Sequence, residues 1–172
     1  MSHLNDPRLH GELSQERTLT EEEKTNVATV HRLVDYFNAG DIENFVRTTY
    51  HPDYRMVVLN GLAWNGHAED DANVFANLDE FVAMEAMILN VVPRRRFEIN
   101  RIIPAGNVVT FQASLVDDAR PGYELPWCSV YTFRDGLIIA DSAYLNHYEW
   151  PGVPDAMEES RPEQYEREGY NR

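Results

Sequence analysis

The sequence predicts an α+β fold in which helices come first and a meander of antiparallel strands comes last. Two patterns predict it: apolar residues mostly follow helical spacing up to about residue 91, and four apolar runs separated by turn residues follow. The length of 172 residues suits one domain, and a hydrophobic content of 43% can form a buried core. A curved antiparallel sheet with helices covering one face accommodates both patterns.

The first helix has a clear start and a clear end. Thr20 and Glu23 have the spacing of a capping box, and Gly40 can take the left-handed conformation that ends a helix. Apolar residues at helical spacing lie between them: Val27, Val30, Leu33, Val34 and Phe37. Asp41 is expected to cap a short second helix, which we expect His51-Pro52-Asp53 to end.

The remaining elements alternate between strand and helix before the meander begins. We expect a strand over 54–59, a long polar loop over 60–77, and a third helix over 78–91 that stops before Pro93. Four strands follow, over 96–103, 108–116, 127–133 and 137–148. Asp135-Gly136 between the last two is a strong signal for a two-residue hairpin turn.

Both ends of the chain differ in composition from the middle. Residues 1–19 are polar, and residues 151–172 carry three prolines, two glycines and many charges. Such segments bury little apolar surface. We therefore expect a polar N-terminal arm over 1–19, one domain over 20–150, and a polar C-terminal tail over 151–172.

The charge balance excludes several classes of partner. Fifteen basic and 29 acidic residues give a formal net charge of −14, which repels nucleic acid and anionic membrane surfaces. No apolar run reaches the roughly 18 residues that span a bilayer, and the N-terminus has no apolar stretch typical of a signal peptide. The single cysteine, Cys128, excludes an intramolecular disulfide and a cysteine-based zinc site. A cytoplasmic location is the expectation.

A two-residue turn at Asp135-Gly136 would determine which residues of the last two strands share a face. Arg134 would pair with Leu137, and the register would continue with period two. One face would then hold Cys128, Val130, Thr132, Ile139, Asp141 and Ala143. The other face would hold Trp127, Ser129, Tyr131, Phe133, Ile138, Ala140, Ser142 and Tyr144. If that second face is the outer one, its aromatic residues predict a homodimer.

Three short sequence segments resemble those of a known group of proteins. They are YFNAGD at 36–41 leading to HPD at 51–53, FEINRI at 97–102 with GNVV at 106–109, and VYTFRDGLI at 130–138. The sequence is similar there to the SnoaL-like group of the nuclear transport factor two-like superfamily. The resemblance covers roughly residues 25–150. It implies a cone-shaped barrel whose concave face is covered by three N-terminal helices, with a deep pocket between sheet and helices.

Two subgroups are similar in particular phrases, but their catalytic residues are not preserved. The second and third phrases resemble limonene-epoxide hydrolase, whose catalytic positions correspond to Ala113, Leu115 and Ala143. Asn65-Gly66-His67 and Tyr144-Leu145-Asn146 resemble the PhzA/PhzB phenazine-biosynthesis proteins, whose glutamate position is again Ala143. The tyrosine and aspartate of steroid isomerases correspond to Leu33 and Val58. None of these three mechanisms carries over intact.

The resemblance places Ala143 toward the pocket and therefore predicts Asp141 there as well. A carboxyl on an apolar wall has a raised pKa and can act as a general acid or base; the alternative is a solvated carboxylate or one paired with an arginine. The other pocket-face residues would bind substrate: Phe111, Ala113, Leu115, Cys128, Val130, Ala143 and Leu145, with Tyr54, Asn60 and Trp64.

His67 in the long loop is the second candidate catalytic residue, because an imidazole near neutral pKa is a natural proton shuttle. The alternative is an exposed loop histidine. His67, Glu69, Asp70 and Asp71 also offer metal-ligand chemistry, but their spacing matches no named motif. We therefore expect no metal and no cofactor.

Other polar residues have simpler expected roles. His31 is expected at the boundary of the first helix's apolar stripe, and His51 in a turn. Arg101 shares a predicted face with apolar neighbours, which favours a partly buried salt bridge over an anion clamp. The run Arg94-Arg95-Arg96 is expected to neutralise nearby acids.

Two functions from different classes fit these residues. The first is a cofactor-independent enzyme that binds a small, mostly apolar or aromatic molecule and catalyses dehydration, isomerisation, cyclisation or epoxide opening. Asp141 and His67 favour the enzyme. The second is a non-catalytic ligand-binding or assembly domain, which the apolar residues at 58, 113, 115 and 143 favour.

Overall fold

A computed structural model describes residues 18–60 and 77–145, and it describes only the backbone of 55–60 and of Leu145. The helices are α1 (Glu21–Ala39), α2 (Ile42–Arg47) and α3 (Leu78–Val91). The strands are β1 (Tyr50–Asn60), β2 (Arg95–Ala105), β3 (Val108–Asp117), β4 (Glu124–Arg134) and β5 (Leu137–Leu145). The predicted α+β class is confirmed.

The five strands form one curved sheet in the order β1-β5-β4-β3-β2. The pairs β2–β3, β3–β4 and β4–β5 are antiparallel, as the meander predicts, whereas β1 runs parallel to β5. Within the described residues β1 and β2 are the two edges, so the sheet remains open. In the same part of the chain, no helix is long and apolar enough to cross a membrane.

Helix α1 is fastened to two turns of the sheet. The capping box is present: Thr20 N–H donates to Glu23 Oε2 and Glu23 N–H to Thr20 Oγ1. The other oxygen of Glu23, Oε1, accepts the N–H of Gly106 at 2.8 Å, between β2 and β3. The Thr29 hydroxyl donates to the carbonyl of Gly136, between β4 and β5, at 2.8 Å. These bonds hold the helix across the concave face.

The C-terminal end of α1 is fastened to the edge strand β2. Gly40 takes the predicted left-handed conformation, with φ of 71°. Just before it, Asn38 Nδ2 donates to Phe97 O at 3.1 Å, and Phe97 N–H donates to Asn38 Oδ1 at 2.7 Å. Asn38 thus satisfies both backbone groups of Phe97, as a neighbouring strand would.

Two predicted boundaries at prolines were wrong. The segment His51-Pro52-Asp53 does not end α2, which stops at Arg47; it lies inside β1. An edge strand tolerates proline, and the β1–β5 register is irregular between Tyr50 and Arg55. Likewise β4 begins at Glu124 rather than at 127. Pro126 lies inside this strand, in register with Ser114 of β3.

The predicted register of β4 and β5 holds only next to the turn. Asp135 and Gly136 both have positive φ, and Phe133 pairs with Ile138 as expected. The next pair is Thr132 with Ala140, so Ile139 is the extra residue of a β-bulge. This one extra residue shifts every later pair between β4 and β5 by one position. Because side chains alternate between the two faces of a sheet, each later residue of β5 therefore shares its face with the β4 residues that were predicted on the opposite face.

The bulge corrects the predicted faces. The interior holds Ser129, Tyr131, Phe133, Asp141 and Ala143, all less than 5% exposed. Cys128 and Val130, predicted to face the pocket, lie on the outer face with Thr132 and are half-buried. Tyr131 and Phe133, predicted on the outer face, are core residues. Trp127, also predicted on the outer face, packs against Phe97 in the interior, so the sequence argument for a dimer loses three aromatic residues and keeps Tyr144.

Replacing Asn38 with alanine should destabilise the protein by about 1–3 kcal/mol, because both bonds to the backbone of Phe97 would be lost. Urea unfolding measures this change. Asn90→Ala, on the exposed side of α3, is the matched control and should change stability by less than about 0.5 kcal/mol. Equal losses in the two variants would show that the Asn38 bonds contribute nothing.

A homodimer through the outer face of the sheet stays a prediction. That face carries Ile103, 43% exposed, and Tyr144, 45% exposed, with Val130 half-buried on β4. Val130→Glu should dissociate the dimer, since it would bury an unpaired charge. Ala28→Glu, on the exposed side of α1, is the matched control and should leave it intact. Sedimentation of the wild type as a monomer at micromolar concentration would reject the dimer.

Candidate functional site

Asp141 lies on the interior face of β5 and is 3% exposed. It pairs with Tyr131 of β4 and, in the backbone register, with Met56 of β1. Burial raises the pKa of Asp141 to about 7; a hydrogen bond with Ser129 lowers it, and the charge of Glu85 raises it further. The acid thus titrates near neutrality, as general acid–base chemistry requires.

Three buried tyrosines surround this acid. Tyr50, Tyr54 and Tyr131 are at most 2% exposed, and burial, together with the charge of Asp141, raises the pKa of each well above 10. Their phenols therefore keep their protons at neutral pH. The rings of Tyr50 and Tyr54 meet edge to face with centroids 4.5 Å apart, and Tyr54 stacks on Phe81 of α3 at 5.4 Å.

Ser129 connects Asp141 to Trp127. The Trp127 indole N–H donates to Ser129 Oγ at 2.9 Å, and Ser129 is fully buried. With its oxygen accepting that bond, the hydroxyl is oriented to donate to Asp141, which favours the ionised carboxyl and so opposes the effect of burial on its pKa. Ser129, oriented by Trp127, therefore limits how far burial raises the pKa of Asp141.

Two buried polar atoms of this cluster have no hydrogen-bond partner among the residues that the structure describes. They are the hydroxyl oxygen of Tyr54 and Oδ1 of Asp141. Most buried polar groups are hydrogen-bonded, so such exceptions require an explanation. Both atoms lie between the sheet and the helices, where a ligand could supply the missing partners.

A buried ion pair lies on the helix side of the same interior. Glu85 of α3 accepts from Arg95 of β2 at 2.6 Å, and both residues are at least 90% buried. The Arg95 guanidinium lies 4.3 Å above the ring of Phe37. The sequence analysis missed Glu85, although its position between Phe81 and Ile88 on the buried stripe of α3 was a readable signal.

The structure brings together only some of the predicted site residues. Tyr54, Phe111, Ala113, Leu115, Asp141 and Ala143 are buried in one interior. Cys128 and Val130 are on the other face, where partial burial raises the pKa of the Cys128 thiol. Trp64 and His67 lie outside the described residues, as do residues 1–17 of the N-terminal arm, the C-terminal tail and the acidic residues 69–71. Asn60 and Leu145 are described by backbone alone.

Two other predicted roles can be compared with the structure. Arg101 is exposed rather than partly buried, because an irregularity in β2 between Ile99 and Arg101 changes the face it occupies. The expectation that the arginine run neutralises acids is confirmed: Arg95 pairs with Glu85, and Arg96 with Glu98 and Asp118. Within residues 18–60 and 77–145, no cluster of three His, Cys, Asp or Glu side chains could hold a metal ion.

Comparison with known proteins places the chain in a family. Residues 30–140 match the family described as the SnoaL-like domain. No functionally curated protein matches the sequence. Among solved structures, a protein from Jannaschia sp. CCS1 provisionally described as a SnoaL-like polyketide cyclase is 19% identical, with a TM-score of 0.60 over 83% of this chain and 95% of its own.

Two further structures share the fold. TerC, co-crystallised with polyporic acid, is 17% identical, with a TM-score of 0.56 over 70% of this chain and 91% of its own. Bal32a, from a soil-derived mobile gene cassette, is 16% identical, with a TM-score of 0.59 over 75% of this chain and 95% of its own. At these identities the comparisons show the fold.

The raised pKa of Asp141 predicts how stability depends on pH. Unfolded Asp141 releases its proton near pH 4, whereas in the folded chain it does so at about 7. The proton therefore stabilises the wild type fully below pH 4, and this stabilisation is lost as the pH rises to about 7. Relative to Asp141→Asn, the wild type should lose on the order of a few kcal/mol over that window.

Urea unfolding of both proteins at intervals from pH 4 to pH 8 measures this difference. A constant difference across that range would show that Asp141 has an ordinary pKa and would remove the main argument for its chemistry.

Proposed function

This chain belongs to the SnoaL-like domain family, and we propose that it is a cofactor-independent enzyme that moves a proton on a small, mostly apolar or aromatic molecule. The reaction is a dehydration, isomerisation, cyclisation or epoxide opening. One observation carries the proposal: a buried carboxyl, Asp141, has a pKa of about 7 and an oxygen with no described protein partner.

Asp141 has the properties that either direction of proton transfer requires. When ionised, its unpaired Oδ1 can accept a proton from carbon or oxygen; when protonated, the same group can return one. The surrounding phenols keep their own protons near neutral pH, so they would act as hydrogen-bond donors rather than as bases. Ser129 holds the carboxyl during the exchange.

His67 is proposed as a second proton carrier. The proposal rests on the sequence phrase Asn65-Gly66-His67 and on the near-neutral pKa of an ordinary imidazole. His67→Ala should lower turnover less than a change of Asp141 if the histidine only exchanges protons with water.

The relatives support the expected kind of molecule. One structural neighbour is provisionally described as a polyketide cyclase, and another was co-crystallised with polyporic acid. The interior of this chain is lined by aromatic rings and by Ala113, Leu115 and Ala143, which suits an apolar or aromatic frame.

A non-catalytic ligand-binding domain is the second candidate. Ala113, Leu115 and Ala143, at the positions where the resembled enzymes carry catalytic residues, are buried and apolar. A chain that has lost those groups can retain the fold and bind a ligand without reacting. Asp141 would then be a polar contact for the ligand.

Asp141→Asn should reduce turnover by about 10²–10⁴-fold while leaving binding nearly unchanged, because the amide has similar size but cannot carry the proton.

Two probe reactions measure this loss of turnover. One is 2-acetylnaphthalene, whose methyl hydrogens exchange with D₂O in proton NMR. A C–H bond breaks, the proton passes to Asp141, and the electron pair moves onto the carbonyl oxygen before solvent deuterium returns. The other is styrene oxide, followed by its hydrolysis.

Asp53→Asn is the matched control, since this carboxylate is exposed. It should retain the wild-type rate. Binding of the ketone without acceleration of either reaction by the wild type would reject the enzyme and favour the second candidate.

A further inference from the structure

We infer that the hydroxyl of Tyr54 is the ligand-binding donor of this interior, and that it takes a carbonyl oxygen of a neutral, conjugated molecule. The inference deepens the proposed function and rests on it for the presence of a ligand. It identifies one tyrosine out of three and names the group that this tyrosine binds.

The three tyrosines around Asp141 differ in what their hydroxyls contact. Tyr131 is hydrogen-bonded to Ser129 and to Tyr50, so the hydroxyls of Tyr50 and Tyr131 have partners within the protein. The Tyr54 hydroxyl has none among the described residues, although Tyr54 is 1% exposed. A buried phenol without a partner is unfavourable, so this hydroxyl is the one that a ligand can satisfy.

The strand register brings Tyr54 near the acid. Met56 of β1 pairs with Asp141 in the parallel register, and Tyr54 precedes Met56 by two residues. Tyr54 is 1% exposed, its ring stacks on Phe81 of α3, and it interacts electrostatically with Asp141, which places it on the interior face together with the acid. The two unpartnered atoms of the interior, Tyr54 OH and Asp141 Oδ1, therefore lie on neighbouring strands and the same side of the sheet.

Charge and ring packing determine the ligand's chemistry. Tyr54 keeps its proton at neutral pH and donates it, so the ligand must supply an acceptor. An anionic acceptor is disfavoured by Asp141 and Glu85 nearby and by a net charge of −14. A carbonyl oxygen is a neutral acceptor. The rings of Tyr50 and Phe81, 4.5 Å and 5.4 Å from that of Tyr54, favour a flat conjugated frame.

Two probes of equal skeleton test the inference: 2-acetylnaphthalene, which has a carbonyl, and 2-ethylnaphthalene, which does not. Calorimetry should show that the wild type binds the ketone about tenfold more tightly, the effect of one hydrogen bond in a dry site. Tyr54→Phe should bring the two affinities together. Tyr36→Phe, a half-buried tyrosine on α1, is the matched control and should retain the preference.

Thermal unfolding without ligand is an independent readout. Tyr54→Phe should leave the melting temperature unchanged or raise it, because it removes a hydroxyl with no described partner. Tyr50→Phe should lower it, because it removes a hydrogen bond to Tyr131. A loss of melting temperature in Tyr54→Phe as large as that in Tyr50→Phe would overturn the inference.

Two other results would overturn it: failure of the wild type to bind the ketone in preference to the hydrocarbon, and retention of that preference in Tyr54→Phe. These outcomes are separate from failure of the proposed enzyme. A carbonyl preference that Tyr54→Phe abolishes, in a protein that accelerates neither probe reaction, would support the inference and reject catalysis.

Discussion

One extra residue in β5 determines the arrangement of the interior. The bulge at Ile139 places Tyr131, rather than Val130, opposite Asp141. Without it, the period-two rule would put the half-buried face of Cys128 and Val130 against the helices and expose two aromatic rings. With it, aromatic residues of β4 and the carboxyl of β5 face the same side. The acid therefore lies among phenols instead of aliphatic groups.

Burial of Asp141 is unfavourable, and its surroundings reduce that cost without removing it. Ser129 donates to the carboxyl, which lowers the pKa, whereas the charge of Glu85 raises it. Glu85 itself accepts from Arg95 at 2.6 Å, so this second buried acid has a partner of opposite charge. The balance leaves Asp141 near its midpoint at neutral pH. Full compensation would have produced an ordinary, permanently charged carboxylate with no capacity for proton exchange.

The sequence predicted what depends on local signals. The capping box of α1, the left-handed Gly40, the limits of α3 and the Asp135-Gly136 turn are all confirmed, because each is set by residues a few positions apart. The family resemblance placed Ala143 inside, and alternation along the strand then predicted Asp141 on the same face. The partners across the sheet were wrong, because no glycine or other turn residue marks Ile139 as a bulge.

The tertiary contacts of the site were the least predictable part. Glu85 and Arg95 are ten residues apart on different elements, and only the packing of α3 against β2 brings them together. Tyr54 was predicted to contact a ligand, but nothing in the sequence separates its hydroxyl from those of Tyr50 and Tyr131. That distinction depends on which hydroxyls already have partners, and partners are a property of the folded interior.

The position of the acid along β5 suggests how this chain relates to the enzymes that its sequence resembles. Those enzymes carry a carboxylate at the position of Ala143, whereas this chain carries Asp141, two residues earlier on the same face. Two residues of strand correspond to about 6–7 Å. The carboxyl is thus displaced toward the β4–β5 turn and the aromatic group formed by Tyr50, Tyr54 and Phe81. A ligand that reaches this acid must extend further in that direction, which favours a flat frame that packs beside these rings.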